Sequence, residues 1–327
     1  MLNKGKILWC IWAGILILLF LMSSTDLIIK EKKIEVYPIS VIIEGDNDDY
    51  YVNFKKGMDQ AAVEFHGDVS FITLYASDDQ DQQMDLVKRE IRDGTRAVIL
   101  APVKPEEAVR KLEDMNPGCP VILLGQSPDE GGTLDTIGVD GRKIGRLLGE
   151  AAASQAPRDV PVYLFCGGLD YGDSAWVYEG VRTVLDEQGY HYRLIERKNQ
   201  DTYRQAIQET DAPGGGRITI IALDVQSLDQ ATRILEENTI YQGRVAGLYG
   251  AGSTTSLLRA LDKGIVTGLT AYDQFDEGYL SVKQAVEAIQ GTRQKQNTVL
   301  EAIYVDEDKL RDKAYEKMLY PIEEGQL

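Results

Sequence analysis

Short apolar runs alternate with amphipathic helical patterns from Tyr37 almost to the end of the chain, and this alternation limits the fold more than any other feature. Several runs, such as VILA (98–101) and ITIIAL (218–223), are almost continuously apolar, which is typical of strands buried on both faces of a parallel sheet. The predicted strands are Ile39–Glu44, Val69–Leu74, Ala97–Ala101, Pro120–Leu124, Val162–Cys166, Ile218–Leu223, Val245–Tyr249 and Val266–Ala271. Strand–helix alternation of this kind predicts βαβ units and an α/β fold.

The segments between these strands have the apolar spacing of helices. Met84, Val87 and Ile91 repeat at helical intervals, and Pro105 stands where a helix would begin, a position at which the missing N–H of proline is harmless. The chain has 327 residues, more than one ordinary core organises. Because the strand–helix pattern runs about twice over this length, we expect two similar lobes, each built on a parallel sheet.

The amino terminus has the pattern of a membrane segment. Lys4 and Lys6 precede an unbroken apolar run at 7–22, which as a helix reaches about 24 Å and can just span a bilayer when its polar flanks are counted. A cleaved signal peptide shares this pattern. Since no small-x-small cleavage site follows, we favour an uncleaved anchor within residues 1–35, with the rest of the chain outside the cytoplasm.

Composition excludes several classes of function. The net charge of −17 argues against nucleic acid, because a DNA-binding face needs a basic patch. Two histidines and three cysteines, with no CxxC or Cys/His cluster, leave little material for a metal site or a catalytic triad. We therefore expect no cofactor, no metal and no enzymatic activity, and we expect the cysteines to be free thiols.

Polar and aromatic residues follow the predicted strands. In an open parallel sheet ligands bind beyond the carboxyl ends of the strands, so these loops are the candidate site: 45–51, 125–126, 167–176, 224–226, 249–252 and 272–274. They are rich in Asp, Asn, Gln, Tyr and Trp and poor in Lys and Arg, a composition suited to sugar hydroxyls and ring faces. The alternative is that the Asp, Asn and Gly residues only make turns and cap helices, which explains Tyr50, Tyr51 and Trp176 less well.

The order and spacing of several motifs resemble the type I periplasmic solute-binding proteins, in particular the ribose/galactose-type sugar-binding branch, whose fold is shared by LacI-type effector domains. The resemblance runs from Tyr37 to about Asp306. The motifs are an aromatic pair followed by F-x-x-G-x-x-x-A (54–61), DGTRAVILAPV (93–103), PVILLGQ (120–126), TIGVDGRKIGRLLGE (136–150), YEGVRTVLDE (178–187), YGAGS (249–253) and GLTAYDQFDEG (268–278). No single motif is specific, and the evidence is their combination.

The resemblance implies a set of ligand-binding residues. They are Asp48, Tyr50, Tyr51, Gly125 and Gln126 in the first lobe, and Asp173, Trp176, Asp224, Tyr249 and Tyr272 in the second lobe and hinge. The chain departs from the family where an Asp-Arg pair is expected at 125–126 and where an arginine is expected at Ala175. Without these guanidinium groups the site is more aromatic and acidic than a ribose site, so we expect a polyol, another sugar or a cationic ligand.

The resemblance also implies the arrangement of the lobes and their motion. The chain would cross between lobes near residues 140, 272 and 302, through a three-stranded hinge. The first lobe would comprise 36–140 and 273–301, and the second 141–272 and 302–322. Ligand binding would select a closed state, because contacts from both lobes form only there.

Three functions fit such a sequence. The one we favour is an extracytoplasmic sugar or polyol receptor that signals to a membrane sensor histidine kinase or delivers its ligand to an ABC permease. The anchor favours sensing, because importer-feeding members in single-membrane bacteria are usually lipid-anchored. The alternatives are an enzyme on a Rossmann-like fold and a LacI-type effector-domain regulator without its DNA-binding part.

Overall fold

The structure is a computed structural model, and it describes residues 4–24, 35–46, 48–128, 134–209, 216–292 and 297–320. The predicted anchor segment 1–35 is therefore described in part, and residues 1–3 and 25–34 lie outside the described ranges. Asn47 and residues 321–322, which fall in the predicted ligand loop and second lobe, lie outside them as well. The chain divides into two compact units, Met1–Val36 and Tyr37–Leu327.

The described part of the first unit contains the helix α1 (Lys4–Ser24). With 21 residues it is about 31 Å long, close to the thickness of a bilayer hydrocarbon core. Its segment Gly5–Met22 has a mean hydropathy of 2.2, and none of that segment is buried. By length and composition this helix can cross a membrane, and a signal sequence near the amino terminus would meet the same criteria.

The second unit alternates strands and helices, as predicted. Its strands are β1 (Tyr37–Ile42), β2 (Gly67–Ile72), β3 (Ala97–Leu100), β4 (Val121–Leu124), β5 (Asp135–Val139), β6 (Val162–Cys166), β7 (Tyr192–Glu196), β8 (Ile218–Ala222), β9 (Val245–Ala251), β10 (Gly268–Ala271), β11 (Asn297–Leu300) and β12 (Ile303–Val305). Its helices are a 3₁₀ turn (Asp49–Tyr51), α2 (Val52–Phe65), α3 (Gln80–Asp93), α4 (Pro105–Met115), α5 (Gly141–Gln155), α6 (Ser174–Gln188), α7 (Thr202–Gln208), α8 (Val225–Glu237), α9 (Thr239–Arg244), α10 (Thr255–Asp262), α11 (Gln274–Ile289), α12 (Glu307–Leu310) and α13 (Lys313–Leu319).

The strands form two six-stranded sheets, which confirms the two-lobed α/β fold. The first-lobe sheet has the order β11-β5-β4-β3-β1-β2, and the second-lobe sheet has the order β12-β10-β9-β8-β6-β7. All described pairings are parallel except that of β10 with β12. Buried apolar clusters cover both faces of each sheet, which is why the central strands are apolar throughout.

The chain passes between the two sheets three times. β5 belongs to the first sheet, and α5, which follows it, packs on the second. After β10 the chain returns to the first lobe with α11, and between β11 and β12 it crosses again. These crossings fall at residues 140, 272–273 and 301–302. On this basis we propose the lobe boundaries stated above.

Glycines bring helices of the first lobe into close contact. An added Cβ at Gly57 in α2 would lie 1.9 Å from the carbonyl oxygen of Phe275, and one at Gly278 in α11 would lie 2.0 Å from that of Phe54. The glycine of the F-x-x-G-x-x-x-A motif therefore allows the backbones of α2 and α11 to pack directly against each other. That contact fixes α11, and with it Glu277, beside the end of β1.

A cavity at the carboxyl ends of both sheets

A cavity of about 190 Å³ lies where the strands of the two sheets end. Its lining includes residues that directly follow strands in both lobes, among them Ala101, Gly125, Gly167, Leu223 and Gly252. This is the position predicted for the ligand. Because a protein cavity of about 150 Å³ accepts benzene, this one has room for a single ring with a few substituents.

The first lobe contributes two tyrosines and a glutamate. The 3₁₀ turn after β1 carries Tyr50 and Tyr51, whose rings meet edge to face with centroids 5.4 Å apart. The Tyr51 ring also packs on Phe54 and Phe71, and its hydroxyl donates a hydrogen bond of 2.5 Å to Glu44 Oε2. Burial raises the pKa of Glu44 above its ordinary value.

The hinge adds a second hydroxyl–carboxyl pair. The Tyr272 hydroxyl, just past β10, lies 3.3 Å from that of Tyr50 and donates a hydrogen bond of 3.1 Å to Glu277 Oε2. Glu277 stands in the first turn of α11 and is only 4% exposed. Burial raises its pKa to about 8, since desolvation opposes the charged form.

The second lobe contributes Asp173. It occupies the N-cap position of α6, but its side chain makes no capping hydrogen bond. The carboxylate instead accepts a hydrogen bond of 3.3 Å from the backbone N–H of Gln126 in the first lobe. It lies over Gly125, where an added Cβ would be 3.3 Å from Oδ1 and where φ is +98°. Burial raises the pKa of Asp173 to about 6.

The cavity lining also holds a base that was not predicted from the sequence. Arg197, directly after β7, donates from Nη2 to Asp78 Oδ2 at 3.3 Å and to Gln226 Oε1 at 3.1 Å. Asp78 belongs to the first lobe and Gln226 to the second. The signal that could have found Arg197 is the alternating segment YRLIE at 192–196, the pattern of a half-exposed edge strand.

The structure brings some of the predicted residues to the cavity and places others elsewhere. Five predicted side chains line it, together with Gly125: Tyr50, Tyr51, Asp173, Asp224 and Tyr272. Of these, Asp224 also has a structural role. Its carboxylate caps α8 through Ser227 N at 2.7 Å and accepts a bond of 2.9 Å from Gly167 N.

Four predicted residues are not in the described lining. Tyr249 is 2% exposed and donates to Gln155 Oε1, because β9 continues to Ala251 and leaves Tyr249 inside the sheet. The other three are engaged beside the cavity. Asp48 pairs with Lys55 at 2.6 Å, the Gln126 side chain accepts from Gly141 N, and Trp176 packs its Cβ on Gly141.

The two lobes touch directly around the cavity. Besides the Arg197–Asp78 pair, the Gly172 N–H donates to the carbonyl of Val103 at 3.0 Å. Lys104 of the first lobe forms an ion pair of 2.7 Å with Asp170 of the second, and its ammonium group lies 4.7 Å from the centre of the Tyr171 ring. These contacts hold the two lobes against each other beside the cavity.

The chemistry of the cavity is that of binding through hydrogen bonds and apolar surface. Carboxylates accept, phenols donate and accept, and small apolar residues such as Val103, Val139 and Ala302 provide surface for C–H groups. Among the described residues, no group of three or more His, Cys, Asp or Glu is arranged to hold a metal ion. Cys119 is partly buried and Cys166 is buried, both as free thiols.

Comparison with known proteins agrees with this architecture. A structure of an ABC transporter solute-binding protein from Agrobacterium vitis, bound with alpha-D-tagatopyranose, has a TM-score of 0.76 at 16% identity, over 88% of this chain and all of that one. One from Bacillus halodurans with bound myo-inositol has a TM-score of 0.72 at 20% identity, over 88% of this chain and 99% of that one. A structure of a XylFII–LytSN complex has a TM-score of 0.70 at 16% identity, over 84% of this chain and 100% of that one.

The sequence itself matches a family. A search of curated proteins returned no significant match. Residues 39–293, well over half of the chain, match the family described as periplasmic binding protein domain. The match spans the strands of both sheets from β1 to β10, and it agrees with the two-lobed fold and the cavity between the lobes. The chain therefore belongs to the periplasmic binding protein domain family.

Proposed function

We propose that the chain is an extracytoplasmic receptor that closes around a small polar ligand, a sugar, a polyol or a close derivative. The observation that carries this proposal is the cavity between the lobes, lined from the first lobe by Tyr50, Tyr51 and Glu44 and from the second by Asp173 and Arg197. Contacts from both lobes to one ligand form only in the closed arrangement, so the ligand stabilises that arrangement. Structures with the same fold hold alpha-D-tagatopyranose and myo-inositol, single rings of the size that this cavity accepts.

The helix α1 tethers this receptor to the membrane in our proposal. Its length and hydropathy support a single span, and a receptor of the periplasmic family works outside the cytoplasm. The second unit, Tyr37–Leu327, is compact by itself and would stay at the outer surface. A chain beginning at residue 35 is thus the natural soluble form for experiments.

A second membrane protein would bind the receptor when its lobes are closed on the ligand. We propose either a sensor histidine kinase or an ABC permease, and the uncleaved anchor favours the kinase. XylFII, a protein of the same fold, is known in complex with LytSN, which supports a protein partner for this chain. Co-purification of the full chain with each candidate membrane protein, with and without ligand, would decide between the two.

Catalysis is not part of the proposed function. No histidine or cysteine is among the described residues that line the cavity, and its carboxyl groups have no nucleophile with an adjacent base. We also favour a receptor over a LacI-type regulator, because the helix before the second unit, α1, is apolar and has the character of a membrane segment. Incubating residues 35–327 with sugars and analysing for products tests the point, and turnover would contradict a pure receptor.

The binding claim is tested by a thermal-shift screen of residues 35–327 against sugars, polyols and their amino derivatives. A ligand that binds the native state raises the melting temperature by mass action. We expect a saturable rise with at least one compound, and the rise should be lost in Arg197→Ala. If no compound shifts the melting temperature, or if the shift survives that substitution, the proposed site is wrong.

A further inference from the structure

Charge is distributed unevenly in the cavity. The described residues that line it include five acids and one base, and that base is Arg197. Arg197 donates hydrogen bonds to Asp78 and Gln226, so its positive charge is already paired with the carboxylate of Asp78. The remaining acids of the lining are Glu44, Asp173 and Glu277, and their described hydrogen bonds come from Tyr51, the Gln126 backbone and Tyr272 and not from Arg197.

Glu44, Asp173 and Glu277 have no evident structural role that needs a charge. Asp173 leaves the capping position of α6 unused, whereas Asp140, Asp224 and Asp273 all cap their helices. Glu44 and Glu277 accept single hydrogen bonds from Tyr51 and Tyr272, which a neutral amide oxygen would accept equally. Buried charges of one sign oppose closing of the lobes unless they are neutralised.

We propose that the ligand carries a protonated amino group, which lies among Glu44, Asp173 and Glu277, and that it is therefore an amino sugar or an aminocyclitol. This inference rests on the proposed function and specifies its ligand class. An ammonium group has three donors and no acceptor, so each of its N–H bonds can meet one of the three carboxyl groups. The remaining hydroxyls of the ring would face Arg197, Gln226 and Asp224.

A second observation supports a polar ligand here. Thr270 is among the residues that line the same cavity and is 3% exposed, and its hydroxyl has no hydrogen-bond partner among the described residues. Buried hydroxyls rarely lack a partner, so a ligand hydroxyl would complete the site.

The protonation of the acids agrees with this ligand class. Besides burial, Asp173 and Glu44 both raise the pKa of Glu277, and Glu44 raises that of Asp173. The other titratable groups around Glu277 are the phenols of Tyr50, Tyr51 and Tyr272, whose own pKa values are raised, so they stay neutral. A bound cation lowers the pKa of nearby carboxyl groups, and binding should therefore release protons near neutral pH.

The first experiment compares ligands that differ by one group. Residues 35–327 are titrated calorimetrically with glucosamine and glucose, galactosamine and galactose, and 1-amino-1-deoxy-scyllo-inositol and scyllo-inositol, with N-acetylglucosamine as a neutral control. We expect at least one amine to bind at least tenfold more tightly than its neutral partner. If only neutral compounds bind, or if the members of every pair bind equally, the inference fails while the proposed function stands. If no compound binds, both fail.

The second experiment measures the protons. The tightest amine is titrated at pH 6.5 in two buffers that differ in their enthalpy of ionisation. We expect net proton release in wild type, less release and weaker binding in Glu277→Gln, and wild-type behaviour in Glu187→Gln, an exposed site on α6. Neutral sugars should release no protons. Binding of the amine without proton release, or unchanged binding by Glu277→Gln, would overturn the inference.

Discussion

Two aspartates that look alike in the sequence have different roles at the residue scale. Both Asp173 and Asp224 follow a strand and precede a helix, and both line the cavity. Asp224 caps α8 and holds Gly167, whereas Asp173 leaves α6 uncapped and reaches across to the first lobe. The alternative that these aspartates cap helices therefore describes the structural role of Asp224, but it does not describe Asp173.

This difference predicts that substitution of the two residues has unequal effects on the free energy of unfolding. We expect Asp224→Ala to lower the free energy of unfolding by about 1–2 kcal/mol, since it removes a helix cap and leaves a backbone N–H without its acceptor. Asp173→Ala should lower it less at pH 7, because no cap is lost, the hydrogen bond from the Gln126 N–H is long at 3.3 Å, and a buried carboxylate is removed. Urea denaturation of residues 35–327 measures both. An equal loss in Asp173→Ala would show that this side chain stabilises the fold.

The raised pKa of Glu277 predicts a pH dependence. The native state keeps its proton up to about pH 8, whereas the unfolded chain loses it near the ordinary value of 4.5. The native state therefore binds more protons between these values, and the free energy of unfolding falls as pH rises through this window. Glu277→Gln removes the effect.

The measurement is the melting temperature of the ligand-free protein at pH 5 and pH 8.5. We expect Glu277→Gln to match wild type at pH 5 and to be more stable at pH 8.5. The exposed control Glu187→Gln should follow wild type at both. A variant that is no more stable than wild type at the higher pH would contradict the assigned environment of Glu277.

At the scale of elements, backbone contact between helices makes one motif glycine indispensable. Because a Cβ at Gly57 would collide with the backbone of α11, we expect Gly57→Ala to lower the free energy of unfolding by about 1–3 kcal/mol or more. Gly243 in α9 has no atom within 4 Å of an added Cβ, so Gly243→Ala should not destabilise the protein. Equal melting temperatures of the two variants would mean that α2 and α11 do not pack this way.

The position of a strand in its sheet determines whether the sequence pattern could predict it. Continuous apolar runs such as Val162–Cys166 were predicted as strands and are strands, because a strand between two layers of helices has no polar face. The edge strand β7 was missed, since its residues alternate between partly buried and exposed positions. The terminus of β7 positions Arg197, so the one base of the described cavity lining was missed with it.

The prediction of site residues depended on where each strand ends, and the hydrophobic pattern of the sequence locates these ends only approximately. Tyr249 was placed in a ligand loop, but β9 continues two residues further and buries it. Glu277 was quoted in a motif and not selected, because a residue inside a helix pattern carries no sign that the helix starts at the hinge. Tyr50, Tyr51 and Trp176 were predicted because large aromatics beside strand ends seldom serve turns; the two tyrosines line the cavity, and Trp176 is not in the described lining.

On the scale of the whole molecule, the lobes are held together at the cavity by few polar contacts. Arg197 makes one of these contacts and also lies in the cavity lining, where it bridges Asp78 and Gln226. We expect Arg197→Ala to weaken ligand binding by about tenfold or more and to change the free energy of unfolding by less than about 1 kcal/mol, because the pair is partly exposed. The control Arg204→Ala breaks ion pairs inside the second lobe and should leave binding unchanged in calorimetry.

The central claim is that two lobes close on a ligand held between them. Small-angle X-ray scattering of residues 35–327, without ligand and at saturation with the tightest compound from the thermal screen, tests it most directly. We expect a smaller radius of gyration at saturation, and the same compound should leave the radius of Arg197→Ala unchanged at that concentration. A compound that binds with one-to-one stoichiometry and leaves the scattering curve of wild type unchanged would show that the lobes do not close on the ligand.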